Sequence, residues 1–450
     1  MNTKFKYYVT YISLMLLIFI IMSSCKSRPM TTPPKENQPM DVLAMYCFDY
    51  QEKMMDFWKA CGINTLQLID RACNENDSER AASNARMVKS IEAAHKRGIK
   101  VYILVMTNVK DETFEVTRLF HPRNEVEMAE RLRKLGEMAA ACSMADGFTI
   151  FGGDPGGIYD SYASIGMGDG NVDDYIYLVR KFVETIRINA PNAKINLNPW
   201  SIAAYQTPDV LPGQVEYWLN ETEMTRSFLA AEDIVNKHIG VELALPDYYR
   251  GLALRLYDEN LSEYPYYPSK EEVIALKNKG VEDIWGWPYF LIDEADNGDG
   301  AGTGLQINFR YIYDIVKIFR DFGFNGVVGN YSYVGEVGCA QNTYALCRFA
   351  QDASATPEEV LDEYASFVAT SETYQTLGAI LRYIENHSHW HYKMPENRRL
   401  PLFQTPYANA SDALAALKSV KPRKAEDPRL FGTPKKFLRL VEAKLQELSK

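Results

Sequence analysis

Histidine and cysteine are scarce in this sequence, and an excess of positive charge is absent. Its 450 residues include six histidines and seven cysteines, and the formal net charge is -10. A chain with net negative charge is a poor partner for nucleic acid or for an anionic membrane surface. No glycine fingerprint follows the first predicted strand, which argues against a dinucleotide-binding fold. Internal repeats and low-complexity tracts are also absent from the sequence.

The cysteines do not follow the pattern of a disulfide framework. Six of them lie mostly within apolar strand-like or helix-like runs: Cys47, Cys61, Cys73, Cys142, Cys339 and Cys347. This setting predicts small buried core residues. A Cys61–Cys73 or a Cys339–Cys347 bridge stays open as an alternative.

The first 24 residues are predicted to be a signal peptide. Lys4 and Lys6 precede the apolar run "YISLMLLIFIIM", which is too short to span a membrane comfortably. The following "SSC" resembles the lipobox of bacterial lipoproteins, which implies that Cys25 is lipidated. Residues 25–40 are polar and proline-rich, as in an extended tether. We therefore expect a cell-envelope protein that is lipid-anchored to a bacterial membrane, the outer membrane in our prediction; a plain signal peptide or an anchor helix is the alternative.

From residue 41 onward, apolar runs alternate regularly with amphipathic stretches, which gives eight strand–helix units up to residue 355. The predicted strands are continuously apolar, which indicates a parallel sheet buried on both faces. The predicted helices include one over residues 225–239. This pattern predicts a (β/α)8 TIM barrel over residues 41–355, with a doubly wound open sheet as the alternative. Residues 356–450 show helical patterns alone and are predicted to form a C-terminal helical extension.

In such barrels the chemistry lies at the C-terminal ends of the strands. The predicted strand ends carry carboxylates, amides and aromatic rings, namely Asp49, Asp154, Asn198, Trp200, Asp247, Tyr248, Trp287, Glu294, Asn330 and Tyr331. Histidine and a cysteine–histidine pair are missing from this set. Paired carboxyl groups with rings that stack on sugars suit glycoside hydrolysis.

Asp154, within "GFTIFGGDPGG", is the leading candidate for the general acid. Its apolar flanks would raise the pKa of the carboxyl, and the glycines would let a substrate approach closely. The alternative is a structural turn in which Asp154, preceding Pro155, caps the backbone. Asp247 or Glu294 is predicted to be the base or nucleophile.

The remaining predicted site residues would bind the sugar. Asn198 would bind a hydroxyl group, and the rings of Trp200, Tyr248 and Trp287 would stack on sugar faces. Asp49, Asn330 and Tyr331 complete the predicted binding set. No cofactor and no metal are expected, because the His387–His391 pair and the acidic loop with Asp293, Asp296 and Asp299 match metal-site patterns poorly.

Two segments resemble a known group of enzymes. "NGVVGNYSYVGEVGCAQNTYALCRFAQDASATPEEVLDEYASFV" resembles the end of the barrel in α-glucuronidase-like glycoside hydrolases and in related barrel proteins of glycan-degrading bacteria. "GFTIFGGDPGG" is similar to the turn after their fourth strand, which holds the acid catalyst. The resemblance implies a barrel glycoside hydrolase with Asp154 as the acid, although a glutamate is more typical at that position.

The sequence as a whole predicts a glycoside hydrolase of carbohydrate metabolism that acts on an oligosaccharide or polysaccharide fragment. The alternative is a non-catalytic glycan-binding lipoprotein that retains a degenerate barrel cleft. A polysaccharide lyase, which needs a Tyr/His or Lys base opposite a charge-neutralising group, fits less well, because the predicted strand ends are short of histidine.

Overall fold

Eight parallel strands form a closed barrel in which each strand pairs with the next and the last pairs with the first. The strands are β1 (Val42–Cys47), β2 (Thr65–Ile69), β3 (Lys100–Met106), β4 (Gly147–Phe151), β5 (Lys194–Asn198), β6 (Ile239–Ala244), β7 (Ile284–Trp287) and β8 (Gly326–Tyr331). The predicted fold class, a (β/α)8 TIM barrel with a C-terminal helical extension, is confirmed.

The structure is a computed structural model that describes residues 38–47, 52–69, 77–107, 123–152, 172–199, 225–231, 234–244, 269–287, 305–331, 340–387 and 403–450. Its barrel helices are α1 (Glu52–Cys61), α2 (Asp77–Lys96), α3 (Glu125–Ala141), α4 (Val172–Asn189), α5 (Lys270–Asn278), α6 (Phe309–Phe322) and α7 (Ala340–Gln351). The helices that follow are α8 (Pro357–Val368), α9 (Tyr374–Asn386), α10 (Ala410–Leu417) and α11 (Pro434–Leu448). Within these ranges, no helix is both long and apolar enough to cross a membrane.

The strands are buried on both faces, as the continuous apolar runs predict. Every residue of β2 (TLQLI) and of β4 (GFTIF) is buried. This pattern is typical of a parallel sheet that lies between a filled barrel interior and an outer layer of helices.

Polar side chains at the N-terminal end of the barrel accept hydrogen bonds from backbone N–H groups at the start of a neighbouring strand. The pairs are Asn64 Oδ1 with Leu43 (3.0 Å), Asp146 Oδ2 with Val101 (2.8 Å) and Asn325 Oδ1 with Ile284 (2.8 Å). These bonds satisfy N–H groups that would otherwise be left without a partner near the core.

Two large rings lie in the barrel interior near the N-terminal ends of β3 and β7. Tyr102 and Trp285 meet edge to face with their centroids 4.9 Å apart. A Cβ atom at Gly147 would lie 2.3 Å from the Tyr102 ring, and one at Gly326 would lie 2.7 Å from the Trp285 ring. Glycine is therefore required at both positions, because the opposing rings already occupy the space.

A buried carboxyl group on one of the C-terminal helices accepts a hydrogen bond from a barrel helix. Glu385 on α9 is completely buried and accepts a hydrogen bond from the backbone N–H of Arg310, at 2.8 Å. Arg310 lies in the first turn of α6, where backbone N–H groups have no partner within the helix. Burial raises the pKa of Glu385 well above its ordinary value.

Four cysteines lie within the described residues: Cys47, Cys61, Cys142 and Cys347. All four are buried and carry free thiols. Cys73 and Cys339, their partners in the alternative bridges, lie outside the described residues.

Candidate active site

The carboxyl ends of the strands meet at one mouth of the barrel, where the sequence places the candidate site. Asn198 is the last residue of β5, and Trp287 is the last residue of β7. Asn330 and Tyr331 end β8. The other predicted residues, Cys25, Asp49, Asp154, Trp200, Asp247, Tyr248 and Glu294, lie outside the described residues.

A carboxyl group that the sequence analysis did not single out lies at the centre of the barrel. Glu242, on β6, is completely buried. One of its oxygens, Oε1, accepts a hydrogen bond from Asn198 Nδ2 at 2.8 Å. The other, Oε2, accepts a short hydrogen bond from Gln67 Nε2. The predicted binding residue Asn198 is therefore held by a buried acid.

The contact between Gln67 and Glu242 crosses the whole barrel. Gln67 lies on β2, and β2 and β6 are four strands apart in either direction around the closed sheet. Gln67 Nε2 also contacts the hydroxyl of Thr149 on β4, at 3.1 Å. Side chains from alternate strands thus form one interior layer, which in this protein is polar.

The environment of Glu242 favours its uncharged form. Burial raises the pKa of its carboxyl from the ordinary 4.5 to about 7, while the hydrogen bonds from Gln67 and Asn198 lower it. Of these opposing effects, burial is the larger. Glu242 therefore changes protonation near neutral pH.

The amide of Gln67 suits both protonation states of Glu242. When the carboxyl is ionised, Gln67 Nε2 donates to it. When the Glu242 carboxyl carries a proton, rotation of the Gln67 side-chain amide by a half turn places Oε1, an acceptor, against the carboxyl. The Thr149 hydroxyl serves either arrangement, since it both donates and accepts.

Three aromatic rings lie near the carboxyl ends of β1, β4 and β7. The Trp287 ring centroid is 5.6 Å from that of Tyr46 and 5.4 Å from that of Phe151. Tyr46 and Phe151 are 6.4 Å apart. All three rings are buried. Trp287, predicted from the sequence to stack on a sugar, thus belongs to an aromatic cluster at this end of the barrel.

Metal-site patterns from the sequence are only partly within the described residues. His387 Nδ1 lies 2.7 Å from the carbonyl oxygen of Tyr383, and the two rings stack at 4.1 Å. His389, His391 and the acidic loop with Asp293, Asp296 and Asp299 lie outside the described part of the chain. Within the described part, no group of three or more histidine, cysteine or acidic side chains is arranged to hold a metal.

Comparison with known proteins relates this chain to others by fold. No protein-family model matches it, and no curated protein matches it in sequence. Its structure is similar to that of CpGH84B, with a TM-score of 0.52 and 13% identity over 92% of this chain and 67% of the other. At this identity the similarity shows the barrel fold alone.

Two further solved structures match with lower TM-scores. A mutant of the Thermobaculum terrenum O-GlcNAc hydrolase has a TM-score of 0.48 and 10% identity, covering 92% of this chain and 82% of that one. A mutant of PbGH5A, a glycoside hydrolase family 5 enzyme from Prevotella bryantii B14, has a TM-score of 0.43 and 15% identity, covering 67% of this chain and 86% of that one.

Proposed function

We propose that this protein is a glycoside hydrolase that acts on an oligosaccharide or polysaccharide fragment at the C-terminal mouth of its barrel. The observation that carries the proposal is the closed barrel, whose strand ends bring Asn198, Trp287, Asn330 and Tyr331 to one mouth. Because the rings of Tyr46, Phe151 and Trp287 are buried, the rings that stack on a sugar in this proposal are those of Trp200 and Tyr248, from the segments after β5 and β6. Amides that bind hydroxyl groups and rings that stack on sugar faces are what a carbohydrate site requires. The similarity to CpGH84B adds to this argument the barrel fold alone.

The catalytic carboxyl groups in this proposal come from the segments that follow the strands. Asp154 follows Phe151, the last residue of β4, by three positions, and Asp247 follows Ala244, the last residue of β6, by three. Asp154 would act as the general acid, and Asp247 or Glu294 as the base or nucleophile. The resemblance of the Asp154 turn to that of α-glucuronidase-like enzymes supports this choice.

The proposed location is the bacterial cell envelope. The lipobox-like "SSC" would attach the chain by a lipid on Cys25, and residues 26–40 would separate the barrel from the outer membrane. A glycan at the cell surface or in the periplasm would then be the substrate.

The test uses protein that lacks residues 1–25, assayed on aryl glycosides and on host and plant oligosaccharides for release of reducing ends. We expect cleavage of at least one substrate, and a loss of about 100-fold or more in Asp154→Asn, because general acid catalysis contributes on this scale. Asp321→Asn is the matched control, since Asp321 is exposed on α6 and pairs with Lys317 at 2.9 Å.

Each outcome decides between functions. Cleavage at full rate by Asp154→Asn would contradict the assignment of the acid. Binding of an oligosaccharide without any cleavage by the wild-type protein would contradict the hydrolase and favour the glycan-binding lipoprotein.

A further inference from the structure

The C-terminal helical extension carries a cavity of its own, lined by residues that follow the barrel in the chain. Its volume is about 540 Å³, which lies within the usual range of small-molecule sites. The lining comes from the end of α8, the connection to α9 and the segment after α10, and includes Ser366, Ser371, Glu372, Tyr374, Arg423 and Lys424. The chemistry proposed at the barrel mouth uses none of these residues.

One wall of this cavity belongs to a basic segment. Residues 418–424 have the sequence "KSVKPRK", with four basic side chains and no acidic one. All four basic residues are exposed, in a chain whose net charge is -10. Like charges this close together repel one another, and an anion bound among them would relieve that repulsion.

Backbone hydrogen bonds hold the basic segment against the connection between α8 and α9. Ala369 and Pro422 form an antiparallel bridge. Next to this bridge, the backbone N–H of Arg423 donates to the carbonyl oxygen of Val368 at 2.8 Å. Arg423 and its neighbour Lys424 therefore stand on fixed backbone, which reduces the conformational entropy that a bound ligand would cost.

Both cations keep N–H groups that a ligand can use. Arg423 donates through Nη1 to the carbonyl oxygen of Ser366 at 3.0 Å, and a guanidinium has five N–H groups in all. Lys424 makes no hydrogen bond or ion pair with any other described residue. The Arg423 charge also acts on Asp427, but that carboxylate accepts two hydrogen bonds from Arg429, both at 2.9 Å. An anionic ligand would thus meet two cations without breaking an internal salt bridge.

The same cavity also presents a hydrogen-bond acceptor. Glu372 is exposed, and its Oε1 accepts a hydrogen bond from the Ser371 hydroxyl at 3.1 Å. Hydrogen bonds from the side chains of Thr370 and Ser371 hold the pKa of Glu372 below its ordinary value. Glu372 is therefore ionised at neutral pH, so it repels an anionic group and accepts from a hydroxyl group. Tyr374, which is half-buried, lines the cavity as well and supplies an aromatic side chain of the kind on which a sugar face can stack.

We propose that this cavity binds an anionic glycan, with a carboxylate or sulfate group of the glycan on Arg423 and Lys424 and one of its hydroxyl groups on Glu372. Carboxylate and sulfate share the chemistry that matters here, since both accept charge-assisted hydrogen bonds from a guanidinium and an ammonium group. The site goes beyond the proposed function, because it lies in the helical extension and requires no cleavage at the barrel mouth.

The test is isothermal titration calorimetry on protein that lacks residues 1–25. The probes are trigalacturonic acid for the carboxylate, a singly sulfated disaccharide for the sulfate, and maltotriose as the neutral sugar. We expect at least one anionic probe to bind with a Kd of about 1 mM or lower, and maltotriose to show no saturable binding. Raising NaCl from about 50 mM to about 500 mM should weaken the binding several-fold, because salt screens exposed charges.

Two variants test the cations. Arg423→Ala/Lys424→Ala should raise the Kd of the anionic probe at least about tenfold, because two charge-assisted hydrogen bonds are lost. Lys424→Glu should raise the Kd on the same scale while it leaves the contact between Arg423 and Ser366 in place, so that a folding defect does not account for its effect. The matched control is Lys89→Ala/Lys96→Ala, which removes two positive charges from exposed positions on α2 and should change the Kd by less than about twofold.

Four results would overturn the proposal. They are the absence of binding by both anionic probes, equal affinity for maltotriose, unchanged affinity in Lys424→Glu and in the Arg423→Ala/Lys424→Ala variant, and displacement of the glycan by an equimolar amount of sodium sulfate, which would indicate a general anion site. The proposed hydrolysis stands or fails separately. Cleavage of aryl glycosides by Arg423→Ala/Lys424→Ala should match the wild type, and the binding test keeps its meaning if no glycoside is cleaved.

Discussion

Replacing Glu242 by glutamine should remove a pH-dependent loss of stability that burial of this carboxyl imposes. The folded state raises the pKa of Glu242 from 4.5 to about 7, so folded protein binds this proton more tightly than unfolded protein. Its contribution to the free energy of unfolding is therefore complete below pH 4.5 and is lost as the pH rises through 7. A pKa change of this size corresponds to about 3 kcal/mol.

Glutamine cannot ionise and keeps the hydrogen bonds of the neutral acid, so Glu242→Gln should lose none of this free energy. Relative to wild type, the variant should therefore gain about 3 kcal/mol in free energy of unfolding between pH 4.5 and pH 8. Urea unfolding at both pH values, followed by tryptophan fluorescence, measures this difference. Other titrating groups, Glu385 among them, are common to both proteins and cancel.

The control is Glu442→Gln, which removes one negative charge from an exposed position on α11. This variant tests whether a general change in net charge produces the effect. A difference in free energy of unfolding between Glu242→Gln and wild type that is the same at pH 4.5 and pH 8 would show that folding does not raise the pKa of Glu242.

Two further predictions concern packing and the helical extension. Gly147→Ala should lower the free energy of unfolding, measured in urea, by about 1–3 kcal/mol, because the added Cβ would lie 2.3 Å from the Tyr102 ring. Unchanged stability would show that the ring can move aside. Glu385→Ala should lower the free energy of unfolding by about 1–3 kcal/mol, because the backbone N–H of Arg310 loses its acceptor. Glu385→Gln retains an acceptor oxygen and should lower the free energy of unfolding by less in the same assay. Equal losses in the two variants would assign the effect to something other than this hydrogen bond.

The order of strands and helices was predictable because burial on both faces leaves continuous apolar runs in the sequence. The helix predicted over residues 225–239 was too long. Residues 225–230 are helical, but residues 234–238 form turns. Asn236 Oδ1 accepts a hydrogen bond from the backbone N–H of His238 at 3.0 Å, a local turn that competes with a helix. The spacing of apolar residues does not reveal a side-chain hydrogen bond of this kind.

The candidate site was only partly predictable. Asn198 and Trp287 were expected at strand ends and lie there. Glu242 and Gln67 were not predicted, because the expectation that the chemistry lies at the strand ends does not include residues within the strands. One signal was available: Glu242 is the single polar residue of "IGVELA", and Gln67 lies between two leucines in "TLQLI". In a strand buried on both faces, such a residue has to find a partner.

The identity of that partner could not be derived from the sequence. Gln67 and Glu242 are far apart in the chain, and they meet only because the sheet closes and places β2 opposite β6. An open doubly wound sheet from the same strands would leave no interior for them to share. The contact between Gln67 and Glu242, and with it the burial that raises the pKa of Glu242, therefore depends on barrel closure. In the closed barrel Glu242 has amide partners on both sides, Gln67 on β2 and Asn198 on β5, so the carboxyl group that the sequence hides within an apolar strand is hydrogen-bonded at both of its oxygens.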